Sequence, residues 1–489
     1  MAVARAHKPL LFEQVAARMR DAIHAGILAA GDRLPSVREL SQQERVSIST
    51  VLQAYQQLEA WDLVEAKPQS GHYVRLLRRP PPPEPPVTRP PTSACEPSVV
   101  ELVRRMYMAA GNERIVNLGS ARPSSKLLPT RKLSRLIAAL AREAGGVGVE
   151  YDMPPGWPPL RQQLARRSLA WGCQLGPDDF VTTIGAAEAV HIALLATAGR
   201  GDIVAVESPA YYGTLQVMEM LGLRALEMPT HPREGMQLDA LEAALKRHPI
   251  RAVLVVTNFS TPMGGCMPDE KKEALVRICE RAGVPLIEDD IYGDLYFGNA
   301  RPRAAKSFDR TGNVIYCSSF SKTLAAGFRV GWAAPGRFRE RFELLKFAQT
   351  VATPTLPQMA IAEFLQQGGY DRFLRSLRRE LARQMDHVRQ VVATSFPDGT
   401  RMTRPEGGAI LWVQMPPAVD ALKLHDEALA RGISVAPGPI FSSTGRYRSC
   451  IRLNTGNPDL AQVECAVRTL GAIAHRLAGA DAPRYQRSA

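Results

Sequence analysis

Residues 314–331 read V-I-Y-C-S-S-F-S-K-T-L-A-A-G-F-R-V-G. The run 314–317 has the β-branched and aromatic make-up of a short strand, and it stops at two serines. Lys322 follows, and then Arg329 between Gly327 and Gly331. Three further runs of this type lie upstream, at 203–207, 252–257 and 284–288, with helical patterns such as 234–247 and 269–282 among them. Strands that alternate with helices predict an α/β fold with a mostly parallel sheet. Ligands of such sheets sit beyond the C-terminal ends of the strands, so the residues after each run matter most.

Those residues carry chemistry. The run at 203–207 leads into Ser208-Pro209-Ala210-Tyr211-Tyr212-Gly213, and 252–257 into Asn258-Phe259-Ser260-Thr261-Pro262-Met263-Gly264. The run at 284–288 leads into Asp289-Asp290-Ile291-Tyr292, and 314–317 into Ser318-Ser319-Phe320-Ser321-Lys322. A ring, a carboxylate, a phenol, a lysine and an arginine would then meet at one edge. The set fits a planar, phosphorylated pyridine that bears an aldehyde. A lysine attacks an aldehyde only as the neutral amine, so its site must lower its pKa. A carboxylate on the ring nitrogen makes the pyridine an electron sink. Phosphate calls for an arginine, hydroxyls and a helix N-terminus, and Gly185-Ala186-Ala187 opens an apparent helix after 180–183. Each element alone has a plainer reading. Ser-x-Ser-Lys also occurs in serine hydrolases, Asp-Asp ends strands in metal sites, and Tyr211 and Tyr292 suit a core.

The 489 residues are too many for one domain. Apolar residues make up 45% and charged residues 22%, which excludes a wholly disordered or collagen-like chain. No apolar run is long enough to span a membrane, and 1–14 lacks a signal-peptide core, so a cytoplasmic protein is expected. The 7 cysteines include no C-x2-C pair and the 9 histidines no ligand spacing, so no metal site is expected. Net charge is +13, but the excess is spread along the chain and locates no nucleic-acid site.

Residues 80–97, PPPPEPPVTRPPTSACEP, are the one strong shift in composition. Such a stretch favours extended polyproline geometry and reads as a spacer of about 50 Å. It divides the chain into 1–79, 80–97 and 98–489. In the first part Leu11, Val15, Met19 and Ile23 recur at steps of four, one helical face. Ser36 and Glu39 form a capping-box pattern before a second short helix. A third helix is expected from Ser47 to about Ala60, with Val51, Tyr55 and Leu58 inward. An alternating stretch around Ser70-Gly71 predicts a hairpin. Three helices and a hairpin make a winged helix-turn-helix, whose third helix enters the major groove. Ser47, Ser49, Thr50, Gln53 and Gln57 would face outward, with Arg33 and Arg38 beside the second helix. A small protein-interaction module is the alternative reading.

The strings D-R-L-P-S-V-R-E-L, V-S-I-S-T-V-L-Q-A-Y-Q-Q-L-E and S-G-H-Y-V, at 32–40, 46–59 and 70–74, resemble the DNA-binding domain of GntR-type repressors. The resemblance implies DNA contacts by Arg38, Ser47, Ser49, Thr50 and Gly71; Arg33, Ser36 and Gln53 join them as candidates. Many relatives carry arginine where this chain has Ile48 and Leu52. From 112 to 475 the chain resembles the fold-type I aminotransferases. Supporting strings are Tyr151-x4-Gly156-x3-Leu160-Arg161, R-P-E-G-G-A-I-L-W at 404–412 and S-C-I-R-L-N at 449–454. That resemblance implies pyridoxal 5'-phosphate on Lys322, with Asp289 on the ring nitrogen, Tyr292 on the ring oxygen and Tyr211 stacked on the ring. It implies that Ala186, Ala187, Ser319 and Arg329 hold the phosphate and that Arg452 clasps an α-carboxylate. Tyr151 would reach a neighbouring subunit of a homodimer. One departure stands out: Thr261 replaces the usual asparagine, which weakens the expected bond to the ring oxygen.

The combined layout resembles the MocR/GabR family of bacterial regulators. It implies a multidomain, PLP-dependent transcription factor that binds a double-stranded DNA operator and senses a small amine or amino acid through Schiff-base chemistry at Lys322. A working aminotransferase with a DNA-binding head is the alternative. Control by the cofactor itself is a third reading.

Overall fold

The computed structural model describes residues 10–24, 27–28, 31–61, 63–67, 70–74, 80–110 and 115–479. It divides into two compact units, Met1–Pro80 and Pro81–Ala489. No helix among the described residues is long and apolar enough to cross a membrane.

The small unit holds helices Leu11–His24, Val37–Glu44 and Ile48–Ala60 and a hairpin of Val64–Lys67 with Gly71–Val74. Val15, Ile23, Leu40, Val51, Tyr55 and Leu58 bury together. Leu11 does not join them; it opens its helix and is 61% exposed. The Ser36–Glu39 capping box forms as the pattern predicts. The hairpin gains an isolated bridge at Arg33 that composition does not reveal. Arg33 bridges Tyr73, Leu34 N–H donates to His72 O, and Val74 N–H donates to Asp32 O. The Tyr55 hydroxyl donates to Pro35 O at 2.6 Å and so fixes the third helix against the turn before the second.

The large unit is built on an eight-stranded sheet. Its order is Val181–Thr183, Gly331–Ala334, Val314–Ser319, Leu286–Asp289, Ile250–Val255, Ile203–Ser208, Arg224–His231 and Gly235–Met236. Neighbours from Val314–Ser319 to Arg224–His231 pair in parallel, whereas Gly331–Ala334 runs antiparallel to both of its neighbours. Ile203–Ser208 and Val314–Ser319 are buried at every residue, as strands covered on both faces must be. A second, antiparallel sheet joins Arg401–Met402, Ile410–Gln414, Cys450–Asn454 and Ala436–Pro437. Helices Tyr370–Ser395, Ala421–Leu429 and Leu460–Leu477 share its core.

The proline-rich segment departs from the expected spacer. Proline keeps its carbonyl acceptor, and the Thr and Cys between the prolines keep their N–H groups. Pro83 O accepts from Met402 N–H at 3.0 Å, and Thr88 N–H donates to Thr230 O at 3.1 Å. Cys95 and Ala225 exchange both backbone bonds, at 3.0 and 2.7 Å. The segment is thus a strap on the large unit, and it covers part of the otherwise open edge of Arg224–His231.

Candidate functional site

The strand ends converge as the sheet order requires. Ser208, Asp289 and Ser319 each close a parallel strand, and Gly331, opposite Ser319 and Thr183, opens the antiparallel one. Lys322 follows Ser319 by three residues and is half-buried, with Nζ 5.5 Å from the centre of the Tyr292 ring. Its pKa is lowered to about 8, first by burial and then by the Arg452 guanidinium. Asp289 opposes that shift, while Arg122 and Arg329 add to it. A sizeable share of the amine is therefore neutral near physiological pH, as a nucleophile requires.

Asp289 is 5% exposed, and its Oδ1 has no hydrogen-bond partner among the described residues. Burial, with the neighbouring Asp290 charge, pushes its pKa up to about 7, against the pull of Lys322. A carboxyl whose pKa rises on folding favours the folded state at low pH. That advantage is lost as pH climbs from its ordinary value near 4 to about 7. Asp289→Asn carries no such dependence. In the cofactor-free protein it should therefore gain stability relative to the parent across that window, by on the order of 4 kcal/mol at pH 8. Urea unfolding at pH 5 and pH 8 measures this, and an equal difference at both pH values would contradict it.

Asp290, by contrast, is fully partnered. It accepts from Arg301 Nη2 at 2.6 Å, Asn258 Nδ2 at 3.0 Å and Tyr316 Oη at 3.1 Å. This buried cluster fixes the end of the strand that carries Asp289 and the loop that carries Tyr292. Sequence reasoning did not find it, because its members are scattered from 258 to 316.

A candidate anion cradle lies at the start of helix Ala186–Thr197. Gly185, its N-cap, has φ +80° and offers no side chain, so no side chain caps the N–H groups of the first turn. Arg329 crosses this helix start. Its Nη2 donates to Ile184 O at 3.0 Å, and its Nη1 approaches Ser321 Oγ at 3.4 Å. Ser319 Oγ accepts from Ser321 N–H at 3.3 Å. Ser321 is thus part of the cradle, although sequence reasoning singled out Ser319 alone. A Cβ on Gly185 would lie 2.4 Å from Arg329 Nη2. Gly185→Ala should weaken retention of a phosphorylated ligand at least tenfold, through a displaced arginine and a strained φ. Equilibrium dialysis with the cofactor checks this, and unchanged retention would remove Arg329 from the cradle.

Arg452 comes from the small sheet and is fully buried. Nη1 donates to Thr261 Oγ1 at 3.3 Å and Nη2 to Gly119 O. The guanidinium lies 5.1 Å from the Phe441 ring and 5.7 Å from the Tyr212 ring. Its Nε has no partner, and no carboxylate pairs with it among the described residues. Thr261 therefore takes up a bond from the arginine. Tyr292 donates to Ala121 O at 3.1 Å, and Tyr211 packs on the Tyr212 ring at 4.7 Å. Tyr151 stands apart at 77% exposure.

On the small unit, Arg33, Ser36, Arg38, Ser47, Ser49 and Gln53 are exposed, and Thr50 and Gly71 partly so. Ser47 caps the third helix by accepting from Thr50 N–H at 3.1 Å. Its hydroxyl also meets those of Ser49 and Thr50, each at 2.8 Å. The side chain of Arg33 lies beside Gly71, where a Cβ would meet its Nε at 3.2 Å.

Comparison with known proteins agrees with both halves. The family "Aminotransferase class I and II" matches residues 113–470, and "Bacterial regulatory proteins, gntR family" matches 11–74. Two uncharacterized HTH-type transcriptional regulators of Escherichia coli, YdcR and YjiR, are each 37% identical to this chain. The alignments cover 94% and 95% of it, and 98% and 99% of theirs. The solved structure of LysN, an alpha-aminoadipate aminotransferase of Thermus thermophilus complexed with N-(5'-phosphopyridoxyl)-L-leucine, is 29% identical with a TM-score of 0.71. The match covers 77% of this chain and 95% of that one. This chain therefore belongs to the class I and II aminotransferase family, fused to a GntR-type helix-turn-helix domain in the layout of the MocR/GabR-type regulators.

Proposed function

We propose that this protein is a cytoplasmic, homodimeric transcriptional regulator that binds pyridoxal 5'-phosphate at Lys322 and responds to an amine or amino acid there. One observation carries the reading. A neutralisable amine stands among a buried carboxylate with an unpartnered oxygen, an uncapped helix start crossed by an arginine, and a buried guanidinium without a carboxylate. Unpaired buried charges are costly, so these groups suit ligand charges of opposite sign.

Pyridoxal phosphate supplies an aldehyde and an electron-withdrawing ring when bound. Asp289 would pair with the protonated ring nitrogen, which would give its unpartnered oxygen a partner. Arg329, Ser319, Ser321 and the N–H groups of Ala186 and Ala187 would hold the phosphate. Tyr211 would cover the ring and Tyr292 would orient its oxygen side. Lys322 Nζ accepts or returns a proton as an amine enters or leaves, and Arg452 binds that amine's carboxylate. Tyr151, exposed on one chain, would reach the phosphate bound by a partner subunit.

The strap offers a route outward. Arg452 lies against Phe441, whose carbonyl accepts from Ala210 N–H at 2.9 Å. Two residues before Ala210, the Ser208 carbonyl accepts from Thr88 Oγ1 of the strap at 2.7 Å. The strap is the covalent continuation of the DNA-reading head. An effector that binds two arrangements of these contacts unequally would shift DNA affinity.

The test uses full-length protein loaded with cofactor, a duplex selected from random sequence, and a panel of amino acids with their decarboxylated amines. At least one carboxylate-bearing amine should change DNA affinity about tenfold, within the usual range of allosteric coupling. Keto-acid production with no effect on DNA affinity would instead support a transaminase. The intact site and the likeness to an aminotransferase keep that second reading open.

A further inference from the structure

The third helix of the small unit, Ile48–Ala60, reads I-S-T-V-L-Q-A-Y-Q-Q-L-E-A. It contains no lysine or arginine. Its inner face buries Val51, Ala54, Tyr55 and Leu58. Its outer face bears Ser49, Gln53 and Gln56, all exposed, with two aliphatic side chains beside them: Ile48 at 50% and Leu52 at 43% exposure. The pair is spaced i, i+4, so the two side chains form one apolar strip at the N-terminal half of the helix.

We infer that this helix reads A·T base pairs, with Ile48 and Leu52 packed on thymine methyl groups and Gln53 bonded to an adjacent adenine. The inference rests on the reading of the small unit as a DNA-binding domain. The N-terminal residues of a recognition helix are those that reach base edges. In the major groove, guanine is recognised chiefly by a bidentate arginine or lysine, and this helix has neither. Adenine is recognised by a bidentate amide, which Gln53 supplies. Thymine alone presents a methyl group, and aliphatic side chains are the groups that bury it. Phosphate binding falls to Arg33 and Arg38, which are exposed outside the helix, and to the helix start capped by Ser47.

The experiment selects duplexes from a random pool with full-length, cofactor-loaded protein. It then replaces single thymines in the selected half-site by uracil, which deletes only the methyl group. The parent should select A·T pairs at the centre of each half-site. Uracil at one or two of those positions should weaken binding about fourfold each, the value of one buried methyl near 0.8 kcal/mol. Leu52→Ala should remove the difference between thymine and uracil at one position and leave the salt dependence of binding unchanged, because no phosphate contact is lost. Leu52 is largely exposed, so the variant should fold, and the uracil series needs no variant at all.

Selection of G·C-rich centres, or equal binding of thymine and uracil duplexes by the parent, overturns the inference. So does an Ile48→Ala or Leu52→Ala variant that keeps its base preference but loses a dimer in sedimentation, which would make the strip a contact with a second copy. Failure to retain any duplex at low salt is a different result, and it would overturn the DNA-binding reading itself.

Discussion

Lys322→Ala is expected to leave a folded protein that takes up no pyridoxyl label. Borohydride treatment of the parent with fresh cofactor should fix close to one group per chain, in the peptide that contains Lys322. The variant should fall to background, and its DNA affinity should no longer respond to any amine. The expectation follows from the site. Burial and Arg452 bring this amine to a pKa of about 8, and a neutral amine is the form that condenses with an aldehyde. The substitution removes a cation that the folded state holds at a cost. That cost is full below pH 8 and fades as pH rises from about 8 toward the ordinary lysine value near 10.5, since a lysine with a lowered folded pKa binds fewer protons folded than unfolded. The variant should therefore be no less stable than the cofactor-free parent at pH 7. A clear loss of stability would mean that Lys322 is a packing residue.

Arg452→Met should separate amino acids from plain amines. The guanidinium's unpartnered Nε and its lack of a carboxylate make it the group that would receive an α-carboxylate. Removal of one partner of a buried, hydrogen-bonded charge pair costs about 2–5 kcal/mol, or roughly 30- to several-thousandfold in affinity. Amino acids should lose affinity by that factor, while the corresponding decarboxylated amines bind about as before. Methionine keeps much of the volume between Tyr212 and Phe441, and loss of an unpaired buried cation offsets the lost bonds to Thr261 and Gly119. Isothermal titration with matched amino-acid and amine pairs decides the point. An equal loss for both ligands would place Arg452 in a structural role.

The parts of this fold that local pattern controls were legible in the sequence. The strands ending at Ser208, Asp289 and Ser319 are short and β-branched, and the helix at Asp269–Ala282 has an ordinary apolar period. Their order implies the sheet, and the sheet places Asp289, Lys322 and Arg329 at one edge. What local pattern does not carry was missed. The bond from Arg452 on the small sheet to Thr261 in a loop spans 191 positions. The partners of Asp290 come from three separate segments. The strap is the sharpest case. Proline content argues against a helix, but composition cannot say whether the backbone meets water or the unpaired edge of Arg224–His231. Tyr151 marks another boundary, since a residue whose expected contact lies on a second chain shows only exposure in one. In the small unit the capping box of Ser36 and Glu39 was readable because both halves lie within four residues. The bridge at Arg33 was not, because it consists of one residue pair and a few bonds.

The most direct measurement titrates a selected duplex with cofactor-loaded protein, with and without a saturating responsive amino acid, for the parent and Lys322→Ala side by side. The account predicts a shift of about tenfold in the parent and none in the variant. Equal shifts in both proteins would show that the ligand controls the DNA-reading head without the lysine, and the central claim would fail.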